Sequence, residues 1–172
     1  MQYASNLELG FNKDQIVVLW GTHNDGMGRQ WSALKQRLLQ HPGITNITEA
    51  DMAPESAGSR RVRIEGGPPE GFDMLTKRIG FNFFETYDIS LVAGRTFNEA
   101  LSTDVFNPPA NVPEGSRPTG SYILNETAAR ELGWSPDEAL GRTFEMDFSN
   151  NFSLTVAGPV IGVVEDVHLQ TL

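Results

Sequence analysis

Two arginines stand in one repeated setting, because GRTF occupies positions 94–97 and again 141–144. A guanidinium is planar, permanently charged and presents a fork of donors, so Arg95 and Arg142 together could grip a carboxylate or phosphate. A structural reading stands beside that one. Gly94 and Gly141 would each make a tight turn, Phe97 and Phe144 would anchor in the core, and each arginine would pair with a nearby carboxylate. On this second reading, the simpler one, GRTF leads the chain into a strand both times.

Other candidate chemistry is thinner. The loop GTHNDGMG at 21–28 sits between a candidate strand and a candidate helix, where phosphate-binding loops sit. Gly21 and Gly26 have phosphate-loop spacing, but Met27 and Gly28 stand where lysine and a hydroxyl are needed. Trp31 falls where a dinucleotide loop needs its third glycine, so a plain connecting loop is expected. His23, His41 and His168 form no HExxH or HxH pairing. Exposed or helix-end histidines are the expectation, and a metal site built from them with Asp25 or Asp166 is the competing one. Glu165 and Asp166, adjacent on a strand, would point to opposite faces and cannot converge as paired carboxylates, so a solvated strand edge accounts for them. No serine sits in G-x-S-x-G, and zero cysteines remove thiol chemistry, disulfides and thiolate metal sites. The Asn-x-Thr triplets at 46–48 and 125–127 match the glycosylation pattern by letters alone. No catalytic, cofactor or metal residue is assigned, and the chain is not expected to be an enzyme.

Across 172 residues, 22 acidic side chains outnumber 13 basic ones for a net charge of −9, so nucleic acid and anionic lipid faces would be repelled. A hydrophobic share of 39% and mean hydropathy of −0.30 fit a single globular domain over 1–172. The apolar runs at 16–20 and 160–164 are far shorter than the roughly 20 residues of a membrane helix. No apolar stretch follows a positive beginning, so no signal peptide is read.

The elements that must carry these residues follow from periodicity. Residues 16–20 (IVVLW) predict a strand. Trp31, Leu34 and Leu38 form an apolar stripe on a helix over 29–40, which His41, Pro42 and Gly43 end. With an imperfectly alternating strand at 44–50 they would make a β-α-β unit. A short strand at 61–65, another at 72–79, a helix at 81–87 with three phenylalanines and a strand at 89–92 come next. Residues 98–120, rich in proline, predict one long exposed loop. A strand at 121–124 delivers Asn125 as N-cap of a helix from Glu126, which Gly133 ends in the left-handed conformation. Ser135, Pro136 and Glu138 spell a capping box whose short helix ends at Gly141. Residues 142–148, 152–157 and 160–167 predict two or three antiparallel strands with a turn at 149–151. The fold class expected is α+β, helices on a mixed sheet.

An ordered series of segments adds a family resemblance: LELGFNKDQIVVL (7–19), LKQRLLQHPGITNIT (34–48), FFETYDISLVAGRTF (83–97), ILNETAARELGW (123–134), ALGRTF (139–144) and VIGVVEDVHLQTL (160–172). The chain resembles the extracytoplasmic core domain of MacB-type and FtsX-like ABC transporter permeases over essentially its whole length, the loop at 98–120 matching least. The fingerprint is Gly94, Arg95, Phe97, Asn125, Glu126, Gly133, Gly141, Arg142, Phe144, Gly162 and Asp166, all in structural roles. The resemblance implies a porter-like lobe of β-α-β units (about 10–52 and part of 72–172) and a smaller inserted sabre-like β-rich lobe (about 53–120). It implies a periplasmic domain of a bacterial inner-membrane protein, non-catalytic, that couples ATP hydrolysis to periplasmic work by mechanotransmission in efflux of a peptide or drug or in lipoprotein transport. Implied partners are its own transmembrane helices, a cytoplasmic ATP-binding domain or subunit that holds the ATP and Mg, and a periplasmic adaptor or lipoprotein. Homodimers are implied for the full-length protein and a monomer for the isolated fragment, with no cofactor in this domain and no nucleic acid partner. The alternative function is an independent soluble ligand-binding module with the 98–120 loop as lid.

Overall fold

Residues 155–164 (TVAGPVIGVV) combine β-branched side chains with two glycines, and they form the longest strand of the molecule. The computed structural model describes residues 15–20, 30–51, 57–105, 118–148 and 154–167. In chain order these give α1 (Trp31–Leu39), β1 (Gly58–Ile64), β2 (Phe72–Thr76), α2 (Phe83–Tyr87), β3 (Leu91–Gly94), β4 (Tyr122–Asn125), α3 (Glu126–Glu131), α4 (Pro136–Ala139), β5 (Thr143–Asp147) and β6 (Thr155–Val164). The strands make one six-stranded sheet in the order β2-β1-β5-β6-β3, with β4 also on β6. Every pair is antiparallel except β4–β6, which is parallel. With short helices on that sheet, the class is α+β.

Two apolar clusters hold it together. Val62, Tyr122, Leu124, Ala129, Ala139, Phe144, Met146, Val156, Val160 and Val163 form the larger, drawing α3 and α4 onto the sheet. The smaller joins Phe83, Phe84 and Tyr87 of α2 to Ile89 and Val164. The Phe83 and Phe84 rings lie 5.8 Å apart, edge to face.

β6 is gripped where glycines let backbones close in. Gly94 registers with Gly162 across the β3–β6 pair. A Cβ on Gly162 would come within 2.3 Å of the Arg95 carbonyl oxygen, and one on Gly94, whose φ is +76°, within 2.3 Å of the Ile161 carbonyl oxygen.

Several expectations fail. Residues 16–20 form no strand, and 44–50 supplies only an isolated bridge from Ala50 to Ile79. The N-terminal β-α-β unit is therefore absent among the described residues. The alternation over 44–50 was imperfect, and there the Asn46 side chain takes up the Ile47 N–H at 3.0 Å, a local bond that competes with a ladder. α1 forms as expected, yet no residue of it is buried. The strands expected at 152–157 and 160–167 are one, Thr155–Val164, since the partners on its two edges carry it through Gly158 and Pro159. The first GRTF does not lead into a strand: Gly94 ends β3, and 95–98 is irregular. The loop at 21–28, the turn at 149–151, residues 106–117, and His23, Asp25 and His168 lie outside the described residues.

The glycine contacts generate a test. Gly162→Ala should cost about 2 kcal/mol or more, because backbone must move out of the way. Gly133→Ala, at φ +77° with nothing within 4 Å, should cost only the left-handed penalty of about 1 kcal/mol. Urea denaturation giving equal losses would contradict this account of the β3–β6 contact.

Candidate functional site

Beyond Gly94 the chain turns away from β6, after the Arg95 N–H has bonded to the Ile161 carbonyl at 3.0 Å. The Arg95 guanidinium then meets the Asp104 carboxylate with both terminal nitrogens, Nη2 reaching Oδ1 at 3.2 Å. The Asp104 side chain is fully buried while that of Arg95 keeps 42% of its surface exposed. Asp104 also accepts the Asn98 N–H at 2.9 Å and the Ser121 hydroxyl at 2.7 Å. One carboxylate thus ties the exit of β3, the turn at 101–104 and the approach to β4.

Beside this knot lies an open hollow of about 420 Å³, walled by Asn82, Arg95, Phe97, Asn98 and Glu99 among others. Asn82 stands there in the left-handed conformation (φ 63°) just before α2, and Asp88 does the same just after it (φ 55°). Non-glycine residues held this way concentrate at functional sites. The hollow therefore has a half-exposed cation, an amide and a carboxylate on its walls.

Electrostatics fix the protonation of the knot. Burial alone would push the Asp104 carboxyl up, but the bonds from Arg95, Ser121 and the Asn98 N–H, with the charge of Arg95, outweigh it and lower its pKa from 3.8 to about 2. Arg95 is correspondingly raised: the bond to Asp104 and its charge exceed the effect of burial.

The other fingerprint residues take up separate posts. Among the described residues Arg142 makes no ion pair with a carboxylate: its Nε donates to the Glu138 backbone carbonyl at 3.2 Å, and its guanidinium lies 5.4 Å over the Trp134 ring. The reason is local, because Glu138 accepts the Ser135 N–H at 2.9 Å and the Ser135 hydroxyl at 2.6 Å in the capping box of α4. Gly141 has φ +79° and here the turn does lead into β5, where Phe144 is 1% exposed. Arg95 and Arg142 engage different partners and make no joint anion grip.

Asp166 is not on a solvated strand edge, since β6 ends at Val164. Its Oδ1 accepts the Thr127 N–H at 2.8 Å and the Asn125 amide at 2.7 Å, and its Oδ2 the Thr127 hydroxyl at 2.6 Å. Asn125 meanwhile caps α3 by accepting the Ala128 N–H at 3.1 Å. The first turn of α3, with Glu126 in it, is therefore capped twice, once from within and once from the end of β6. Burial raises the Asp166 carboxyl, and the bonds from Thr127 and Asn125 with the charge of Arg130 bring it below its ordinary value. His41 sits just past α1, where its Nδ1 accepts the Gly43 N–H at 3.1 Å.

A third such carboxylate was not visible in the sequence. Asp147, 3% exposed, takes both Arg63 terminal nitrogens at 3.0 and 2.9 Å and the Thr155 hydroxyl at 2.7 Å. Neither Arg63 nor Asp147 stands in a motif, and 84 residues separate them. Asp104 escaped notice for the same reason, though the Asx turn from Asn98 to the Ala100 N–H at 2.9 Å has a recognisable local signal.

Among the described residues, no group of three or more histidines and carboxylates could hold a metal ion, and no helix is long and apolar enough to cross a membrane. The chain matches no family model, no curated protein and no solved structure at a significant level.

Asp104 should leave a signature in the stability curve. Its folded pKa of about 2 lies below the ordinary 3.8, so its ionised form favours folding. That contribution, about 2 kcal/mol, is complete above about pH 4 and disappears as pH falls towards 2. Asp104→Asn should lower stability at neutral pH and flatten the acid limb between pH about 4 and 2 in denaturation series. Arg142→Ala should cost about 1 kcal/mol or less and leave that limb unchanged. An unaltered acid limb in Asp104→Asn would contradict the knot.

Proposed function

We propose that the chain is a non-catalytic periplasmic module of a MacB-type or FtsX-like ABC transporter permease, coupling ATP hydrolysis on the far side of the membrane to work outside it by docking a partner or substrate. The observation that carries the reading is convergence on β6. Gly94, Gly162, Gly141, Arg142, Asn125 and Asp166 all meet that strand or its immediate end through backbone or capping bonds. Residues that carry the resemblance in sequence thus share one mechanical task, holding a central strand. A module that transmits motion needs such a stiff frame. Division into porter-like and sabre-like lobes, the periplasmic location, the homodimer and the adaptor or lipoprotein partner belong to the same proposal, with ATP and Mg held by the separate ATPase.

A second reading, a soluble ligand-binding module, is favoured by the hollow beside Arg95, which lies where the 98–120 loop begins. It requires saturable uptake of a small solute by the purified chain, measured by calorimetry and abolished by Arg95→Ala.

The coding sequence on either side decides the first reading. A membrane-spanning helix should be encoded immediately before and immediately after this segment, with the segment itself cleaved by protease added to spheroplasts. Flanks without such helices, or protection from the protease, would sink it.

A further inference from the structure

The unused features concentrate at one place. Val17, Val18, Leu19 and Trp20 are 83%, 42%, 57% and 72% exposed, and their backbone groups bond to no other described residue. An apolar run with two β-branched valines, unassigned to any helix or strand and with no backbone partner among the described residues, has the composition of a strand.

A free edge lies close by. β3 ends the sheet order and, among the described residues, is paired to β6 alone, and its Leu91 and Val92 are each 41% exposed. Natural edge strands are guarded by charge or proline. Neither QIVVLW at 15–20 nor LVAG at 91–94 contains a charged residue or a proline. Ile16 is already tucked against the cluster of Phe83, Phe84, Tyr87, Ile89 and Val164, and Val164 registers with Leu91. The run thus leaves from a cluster that also holds Val164, the partner of Leu91 at the first position of β3. At about 3.3 Å per residue, four residues reach roughly 13 Å, the length of β3 itself.

We propose that residues 17–20 add to the outer edge of β3 as one more, parallel strand, so that this end of the sheet has an open form and a closed form. Starting from the Leu91 end, the run proceeds beside β3 in the same direction. Pairing gives backbone partners to both segments and brings the exposed Val17, Val18 and Leu19 of the run beside Leu91 and Val92. The open form leaves the same edge free for an extended apolar segment of another molecule.

The absence of native cysteine makes the test clean. Val18→Cys with Val92→Cys, and Leu19→Cys with Val92→Cys for the neighbouring register, should close an intramolecular disulfide under mild oxidation, because paired strands bring Cα atoms within bridging distance. Val18→Cys with Leu75→Cys, on the outer edge of β2 at the opposite side of the sheet, is the control and should react at least about tenfold more slowly. Hydrogen exchange of the native chain, which needs no substitution, should show the amides of 17–20 protected at least about tenfold over unpaired chain. Cross-linking no faster than the control, cross-links only between two molecules, or exchange of 17–20 at the unpaired rate would overturn the proposal.

Discussion

A ten-residue strand with different partners along its length is the constraint on which the rest of this structure hangs. β6 pairs with β5 through 155–159, with β3 through 162–164 and with β4 through 160–164. The change of partner between β5 and β3 falls at Val160 and Ile161, and both copies of the Gly-Arg element attend it. Gly141 donates its N–H to the Val160 carbonyl at 2.8 Å, Val160 donates to the Arg142 carbonyl at 2.9 Å, and Arg95 donates to the Ile161 carbonyl at 3.0 Å. Both glycines are left-handed, so each bends the chain where it meets β6. The repeat serves as a pair of clamps on neighbouring residues of one strand, one closing β3 and the other opening β5.

Carboxylates do the long-range tying, two of them, Asp104 and Asp147, buried and the third, Asp166, half-buried. Asp104, Asp147 and Asp166 each accept several bonds, and each joins segments that are distant in sequence. A buried carboxylate is costly unless its lone pairs are filled, and here arginine, hydroxyl and N–H donors fill them. The consequence is specificity of arrangement, because moving any one strand would strand a charge in the interior. Tyr122 shows the same economy with a neutral group: its hydroxyl donates to the Val156 carbonyl at 2.7 Å inside the larger core. Burial and the carboxylates of Glu145 and Asp147 hold it protonated.

What the sequence made legible was local. Asn125 as a cap, the Ser135–Glu138 box, the left-handed Gly133 and the turn at Gly141 need only a few neighbouring residues to specify them, and all four stand as expected. Pairing partners are another matter. Identical GRTF tetrapeptides end one strand and begin another because their surroundings in space differ, and four letters carry nothing of that. The hollow was half legible: Arg95 was singled out with a carboxylate partner foreseen, but Asp104 and the left-handed Asn82 that frame it carried no local mark.

The N-terminal part shows what happens when local preference finds few long-range partners among the described residues. α1 has a sound helical stripe, but Trp31, Leu34 and Leu38 stay only half-buried, and residues 44–51 reach the body through the bridge of Ala50 to Ile79 and the bonds of Glu49 and Asp51 to Gly80 and Arg78. Thr48 even keeps a buried hydroxyl without a partner. Fully burying a Val or Leu side chain contributes about 1.5–3 kcal/mol, so the apolar side chains of 16–20 and α1 leave a large driving force unspent. Around β6, by contrast, the buried carboxylates are saturated and the core side chains are packed. A molecule divided this way is stiff at its centre and adhesive at one side. Among the described residues, much of the apolar surface still available for association lies at residues 17–20, on α1 and at the edge of β3.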